Sequence, residues 1–228
     1  MGFGTSFGSN TPPVVKNIII INVIMLLFTM LTGDFMYKYF ALYYVESEWF
    51  SPYQIITHIF MHGGFWHLFF NMYTLYIFGS MLESIWGSKK FFLYYMITGI
   101  GAAFLHELVM FIQAGSYTSA IAAGDMYASM KLKILMLTPT VGASGAIYGL
   151  LLAYGMMFPN NIMRLIFPPI ALKAKWFVLI FGLIEFTSGL SGTMGNSGDN
   201  VAHFAHLGGM LFGLIIILIW RKNNRLYN

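Results

Sequence analysis

The chain has 228 residues, 58% of them hydrophobic and only 9% charged, with a mean hydropathy of +0.71 and a formal net charge of +4. A soluble domain carries about 25% charged residues, so the composition excludes a soluble protein and identifies an integral membrane protein. The positive excess fits basic loops on one membrane face and not a nucleic-acid surface; the absence of cysteine excludes disulfides and thiolate chemistry.

Residues 1–14 form a short polar segment with Gly, Ser and Pro. The first apolar run lacks a small-residue cleavage site, so it is expected to stay as a span and not to be removed as a signal peptide. Apolar runs of roughly 20 residues, the length needed to cross a bilayer, predict six spans within a membrane domain over residues 15–220. The first is Val15–Leu31, between Pro12-Pro13 and Gly33-Asp34. The second is His67–Ile85, the third Phe91–Gln113 and the fourth Ser144–Phe158. The fifth is Ile170–Ser188 and the sixth Val201–Trp220. Residues 221–228 make a basic tail.

Lys16, Lys89, Lys90, Arg164, Lys173, Lys175, Arg221, Lys222 and Arg225 fall on one side of this arrangement, and only Lys38, Lys131 and Lys133 on the other. Basic loops stay in the cytoplasm, which predicts cytoplasmic termini and long outer connections at Thr32–Trp66, Ala114–Ala143 and Gly189–Asn200. Spans two, four and six then all run inward. At about 1.5 Å per residue His206 lies roughly 9 Å below Asn200, so His67, Ser144 and His206 can meet at one depth.

These residue types suit acyl transfer. A serine hydroxyl becomes a nucleophile when a base takes its proton, and a histidine can do that and then protonate the leaving amine. His67 and Asn71 are spaced i, i+4 and share a helix face, and both can donate to a developing oxyanion. The Ser144 amide, at a helix start, has no intrahelical partner and can donate too. Gly145 and Gly149 form one GxxxG step beside Ser144; Gly209 and Gly213 form another on the face of His206, and small residues let membrane helices approach closely. Tyr148, one turn below Ser144, can stack on His206 and orient it, the task an acid performs in a soluble triad.

Taken singly, each residue has a plainer reading. Ser144 is a small packing residue, His206 a polar group satisfied by a neighbouring helix, and His67 and Asn71 a hydrogen-bonding contact between helices. The i, i+3 pair His203 and His206 could ligate a metal, but that reading needs a full ligand set and usually a carboxylate, and His106-Glu107 lacks the second histidine of a His-Glu-x-x-His pattern. No metal or other cofactor is expected. His62 and His203 are read as hydrogen-bonding supports of the site. Glu185 interrupts an apolar run, and an intramembrane acid is a functional suspect; its position near Thr187 and Ser188 points to a structural or gating hydrogen bond at the outer interface.

The ordered set His62-Gly63-Gly64-Phe65-Trp66-His67-Leu68-Phe69-Phe70-Asn71, Gly142-Ala143-Ser144-Gly145 and Ala205-His206-Leu207-Gly208-Gly209 resembles the rhomboid intramembrane serine proteases of the bacterial six-helix type. Glu83-Ser84-Ile85-Trp86-Gly87-Ser88 resembles that family's end of helix two. The likeness runs from Pro52 to Gly213. It implies an all-α, six-transmembrane-helix bundle that cuts single-span membrane proteins near the outer end of the span.

By the same resemblance Ser144 is the nucleophile and His206 the base, with no third, acidic member. His67, Asn71 and the Ser144 amide form the oxyanion site, and Gly142 and Tyr148 support it. Thr32–Trp66 is a partly inserted loop, Gly189–Asn200 a cap and helix five a gate. The chain departs from some members at Tyr53-Gln54, where they carry Trp-Arg; Gln cannot contact a lipid phosphate with charge. The connection Ala114–Ala143 has no assigned role. The implied partners are transmembrane substrates and lipids, and the implied location is a bacterial cytoplasmic membrane. Rival readings are an inactive rhomboid-like protein that binds membrane clients, and a transporter, which would show an internal repeat and broken helices at mid-membrane.

Overall fold

A computed structural model describes residues 11–164, 170–194, 200–224 and 226. Ten helices are formed among them: α1 (Pro13–Thr32), α2 (Asp34–Phe40), α3 (Gln54–Thr57), α4 (Phe65–Thr74), α5 (Ser80–Trp86), α6 (Ser88–Ala122), α7 (Met126–Leu137), α8 (Ser144–Met157), α9 (Ala174–Met194) and α10 (Asn200–Lys222). The chain is an all-α, multi-pass membrane protein. Four helices are long and apolar enough to cross a bilayer: Pro13–Thr32, Ser88–Ala122, Ala174–Ser191 and Ala202–Lys222. The expected second span is a helical run from Phe65 to Trp86 that passes through a π-helical turn at Leu75–Gly79. Lipid-facing surface is plain on α1 and α4, where Ile20, Ile24, Leu31, Phe65, Trp66 and Phe70 are all exposed; such a surface would aggregate in water.

Local chemistry explains the ends. Pro13 opens α1, where its missing N–H costs nothing. Glu83, buried at the end of α5, reaches across to that start. Its carboxylate accepts from the Val14 and Val15 amides at 3.0 and 2.8 Å and from Ser88 Oγ at 2.6 Å. One acid therefore caps α1 and ties it to the α5–α6 corner.

The third span differs most from its expected bounds. It was placed at Phe91–Gln113, yet α6 runs 35 residues, about 52 Å against a hydrocarbon core of about 30 Å. Polar residues after Gln113 do not break it, because Thr118 and Ser119 return their hydroxyls to the carbonyls four residues back. Gly124, at φ +90°, turns the chain. Asp125 then caps α7 by accepting from Tyr127 N–H, and α7 packs back on α6. The connection Ala114–Ala143 is thus largely a helical hairpin and not a loop.

The connection before α9 also differs. Ile162–Arg164 and Ala171–Lys173 pair as a small antiparallel hairpin, with Met163 opposite Leu172. Ile170 therefore does not begin the fifth span, which starts at Ala174 after the hairpin. The expected cap Gly189–Asn200 lies partly in α9, which continues to Met194, and its residues 195–199 lie outside the described residues.

The core lies where α6, α8 and α10 meet, around Phe91, Tyr94, Leu150, Ala153 and Ile217. Closeness there comes from glycine. A Cβ on Gly209 would strike the backbone of Gly145, and one on Gly213 would meet Tyr94 and lie 3.4 Å from Gly149 Cα. The two GxxxG steps face each other, and α8 touches α10 backbone to backbone.

Candidate active site

α8 has only 14 residues, about 21 Å, so Ser144 at its start lies below the level reached by the longer helices. An irregular segment at that depth needs internal hydrogen bonds, because lipid offers none. The segment before Ser144 has them. Thr140 and Leu42 exchange backbone bonds at 2.9 and 2.8 Å, Gly142 N–H donates to the His58 carbonyl at 2.9 Å, and Thr140 Oγ1 lies 2.9 Å from His106 Nε2. The loop after α2 is itself knotted by Gln54, which is fully buried and bonds to Trp49, Ser51 and Lys38 backbone atoms at 2.9, 3.1 and 3.2 Å. Gln54 thus faces inward and holds the loop that holds residues 140–143.

Gly142 has φ +134°, a backbone region open to glycine almost alone, and it turns the chain into α8. The Ser144 hydroxyl then lies 2.9 Å from His206 Nε2 on α10. The rings of Tyr148 and His206 stack with centroids 4.2 Å apart and planes 9° from parallel.

His67 stands on the other side. A Cβ built on Gly142 would be 3.0 Å from both Cε1 and Nε2 of its ring and 3.6 Å from Ser144 Oγ. Gly63 N–H donates to His67 Nδ1 at 3.3 Å; Nδ1 is then the acceptor nitrogen, and Nε2 carries the proton toward Gly142 and Ser144. Asn71 is buried, and its amide donates to the His67 carbonyl at 2.8 Å. It steadies the turn of α4 that carries His67, and its second N–H is available for another acceptor.

Two supporting residues behave differently from each other. His62 is fully buried and neither ring nitrogen has a hydrogen-bond partner among the described residues. It packs edge-on against His67 with centroids 4.9 Å apart, and shapes the site by that contact. His203 Nδ1 lies 2.6 Å from Glu185 Oε2.

Glu185 makes the structural hydrogen bonds expected of it, and makes them to the site itself. It is buried, not at the interface, and receives the Tyr148 hydroxyl on Oε1. Its Oε2 also stands 3.0 Å from His206 Nδ1, an ion-pair contact outside the alignment of a hydrogen bond. A carboxylate from α9 therefore joins His203 and His206, and ligand-type atoms of the three residues lie within 4.8 Å of one another. The available signal was the charge itself, a lone acid in an apolar run.

Known proteins resemble this chain in sequence. A family model described as the Rhomboid domain matches residues 49–223. The chain is 31% identical over 187 residues to Rhomboid-like protein 11, chloroplastic, of Arabidopsis thaliana, covering 81% of this chain and 57% of that protein. It is 29% identical over 184 residues to Rhomboid protein 1, mitochondrial, of Saccharomyces cerevisiae, with 79% and 45% covered. It is 28% identical over 196 residues to the human Presenilin-associated rhomboid-like protein, mitochondrial, with 84% and 45% covered. The chain spans about half the length of these relatives.

Proposed function

Since the chain belongs to the rhomboid family, we propose that it is an intramembrane serine endopeptidase that hydrolyses peptide bonds of single-span membrane proteins. The observation that carries this reading is the 2.9 Å contact of Ser144 Oγ with His206 Nε2, made between two helices packed glycine on glycine.

In the reaction Ser144 Oγ attacks the scissile carbonyl as its proton passes to His206 Nε2. The oxygen of the tetrahedral intermediate takes up the carbonyl electron pair and faces His67 Nε2–H, the Ser144 amide and Asn71. His206 then delivers the proton to the leaving amine as the C–N bond breaks. Water enters, loses a proton to His206 and hydrolyses the acyl-enzyme. Such donors act strongly in a site screened from bulk water. No cofactor takes part.

Six spans with both termini cytoplasmic follow from the charge pattern, with cleavage near the outer face, where Ser144 begins its helix. An apolar cleft of about 520 Å³ between α8, α9 and α10, with Gly182 and Met210 on its walls, supports α9 as the side from which a substrate helix enters. Placement in a bacterial cytoplasmic membrane rests on the small core and charge pattern alone; the relatives named above are chloroplastic and mitochondrial.

The test uses the purified chain in lipid vesicles with a single-span reporter and a fluorophosphonate probe. Cleavage and labelling by the native chain, both abolished in Ser144→Ala, are the expected result. Intact reporter bound equally by both proteins, with no labelling, would instead establish the inactive client-binding reading.

A further inference from the structure

Glu185 is an acid inside the bundle, and nothing in the two-residue scheme of Ser144 and His206 requires it. A buried charge in a membrane is costly unless it is paired. Here it gathers three groups at once. Tyr148 donates its hydroxyl to Oε1, His203 Nδ1 lies 2.6 Å from Oε2, and His206 Nδ1 lies 3.0 Å from that same oxygen. A carboxylate has about four acceptor positions, so it can serve all three.

The arrangement constrains the base on two sides. His206 accepts from Ser144 through Nε2, so its one proton in the resting state belongs on Nδ1, the nitrogen that faces Glu185. Tyr148 covers the ring face and is itself tied to the same carboxylate. When Ser144 transfers its proton, His206 becomes an imidazolium with N–H on both nitrogens, and the nearest countercharge is Glu185. The other titratable groups around it are Tyr148 from α8, His203 from α10 and His67 from α4, none of them anionic at neutral pH.

Resting on the serine-protease reading above, we propose that Glu185 is a positioning residue of the hydrolytic site, setting a countercharge beside His206 Nδ1 that orients the ring and balances the imidazolium formed during attack. The serine–histidine pair is then backed by an acid that α9 delivers, and the proton stays on His206.

The experiment compares native protein, Glu185→Gln and Glu185→Ala in vesicles, alone and combined with His206→Ala. Gln preserves the shape and an acceptor for Tyr148 and His203 but removes the charge. Native labelling and cleavage come first; if the native chain does neither, the protease reading fails and the inference falls with it. Given an active native chain, Glu185→Gln is expected to lower kcat and the labelling rate about a hundredfold, with KM and the melting midpoint nearly unchanged. In the His206→Ala background it is expected to lower labelling no further, since it acts through that ring. Native kcat in Glu185→Gln would overturn the proposal. So would a loss expressed only in KM or melting midpoint, which marks a structural contact, or a further loss in the His206→Ala background. If Glu185→Ala fails to fold, the isosteric Gln variant still decides.

Discussion

Gly209→Ala tests whether the glycine contact between α8 and α10 sets the reacting distance. Gly209 lies one turn from His206, and its partner Gly145 follows Ser144 directly. A Cβ at position 209 would overlap the Gly145 carbonyl, whereas carbon and carbonyl oxygen rest about 3.3 Å apart or more. Relief therefore requires α10 to retreat from α8 by about 1 Å or more. The Ser144–His206 contact is 2.9 Å, and an added ångström takes it past the length of a hydrogen bond. Misplacement of that size costs about a hundredfold in rate, equal to about 2.7 kcal/mol in the barrier. The assay is the fluorophosphonate labelling rate and reporter kcat per folded molecule. Gly115→Ala on α6 is the control, because its Cβ would meet nothing within 4 Å, and it should keep its rate within about threefold. Gly209→Ala labelled at the native rate would refute the claim that this contact spaces the serine from its base.

Gly142→Ala forces a side chain into φ +134° and against the His67 ring at 3.0 Å; it should cost about 1–3 kcal/mol of stability and lower kcat more than it changes KM. Thermal unfolding and reporter kinetics check both effects, and unchanged values in each would remove the need for glycine there. Glu83→Gln leaves the Val14 and Val15 amides and Ser88 facing an amide in place of a carboxylate, a loss of about 1–3 kcal/mol visible as a lower melting midpoint with normal kinetics after folding. His58 sits in the loop before α4, and burial holds its imidazole down to about 4 from the ordinary 6.5. Above pH 6.5 it is neutral whether folded or not. Between about 6.5 and 4 the unfolded chain binds the proton and the folded chain does not, so stability falls with falling pH, by up to roughly 3 kcal/mol. His62, pushed down to about 3, adds in the same direction. The melting midpoint of native protein should drop more steeply across that window than that of His58→Gln; parallel curves would rule out His58 as a source of acid instability.

Much was legible without coordinates, for physical reasons. Sparse charge and long apolar runs impose a membrane fold whatever the packing, because unpaired charge and backbone cannot face lipid. Ser144, His206 and their flanking glycines were legible because polar and small residues in apolar helices are exceptions, and exceptions at matching depths imply contact. The length of α6 was not legible. Its polar end looked like a loop, but the Thr118 and Ser119 hydroxyls are satisfied by their own helix and α7 packs against it.

The sequence by itself therefore determined the class of the protein, the rough position of its membrane helices and the serine and histidine that face one another. Tertiary structure alone decided what surrounds them. Whether Glu185 meets His206, Gln54 turns inward or His62 goes unbonded depends on how each helix is rotated about its axis. That rotation is set by glycine contacts such as Gly209 on Gly145 and by residues far apart in the chain that share no local pattern.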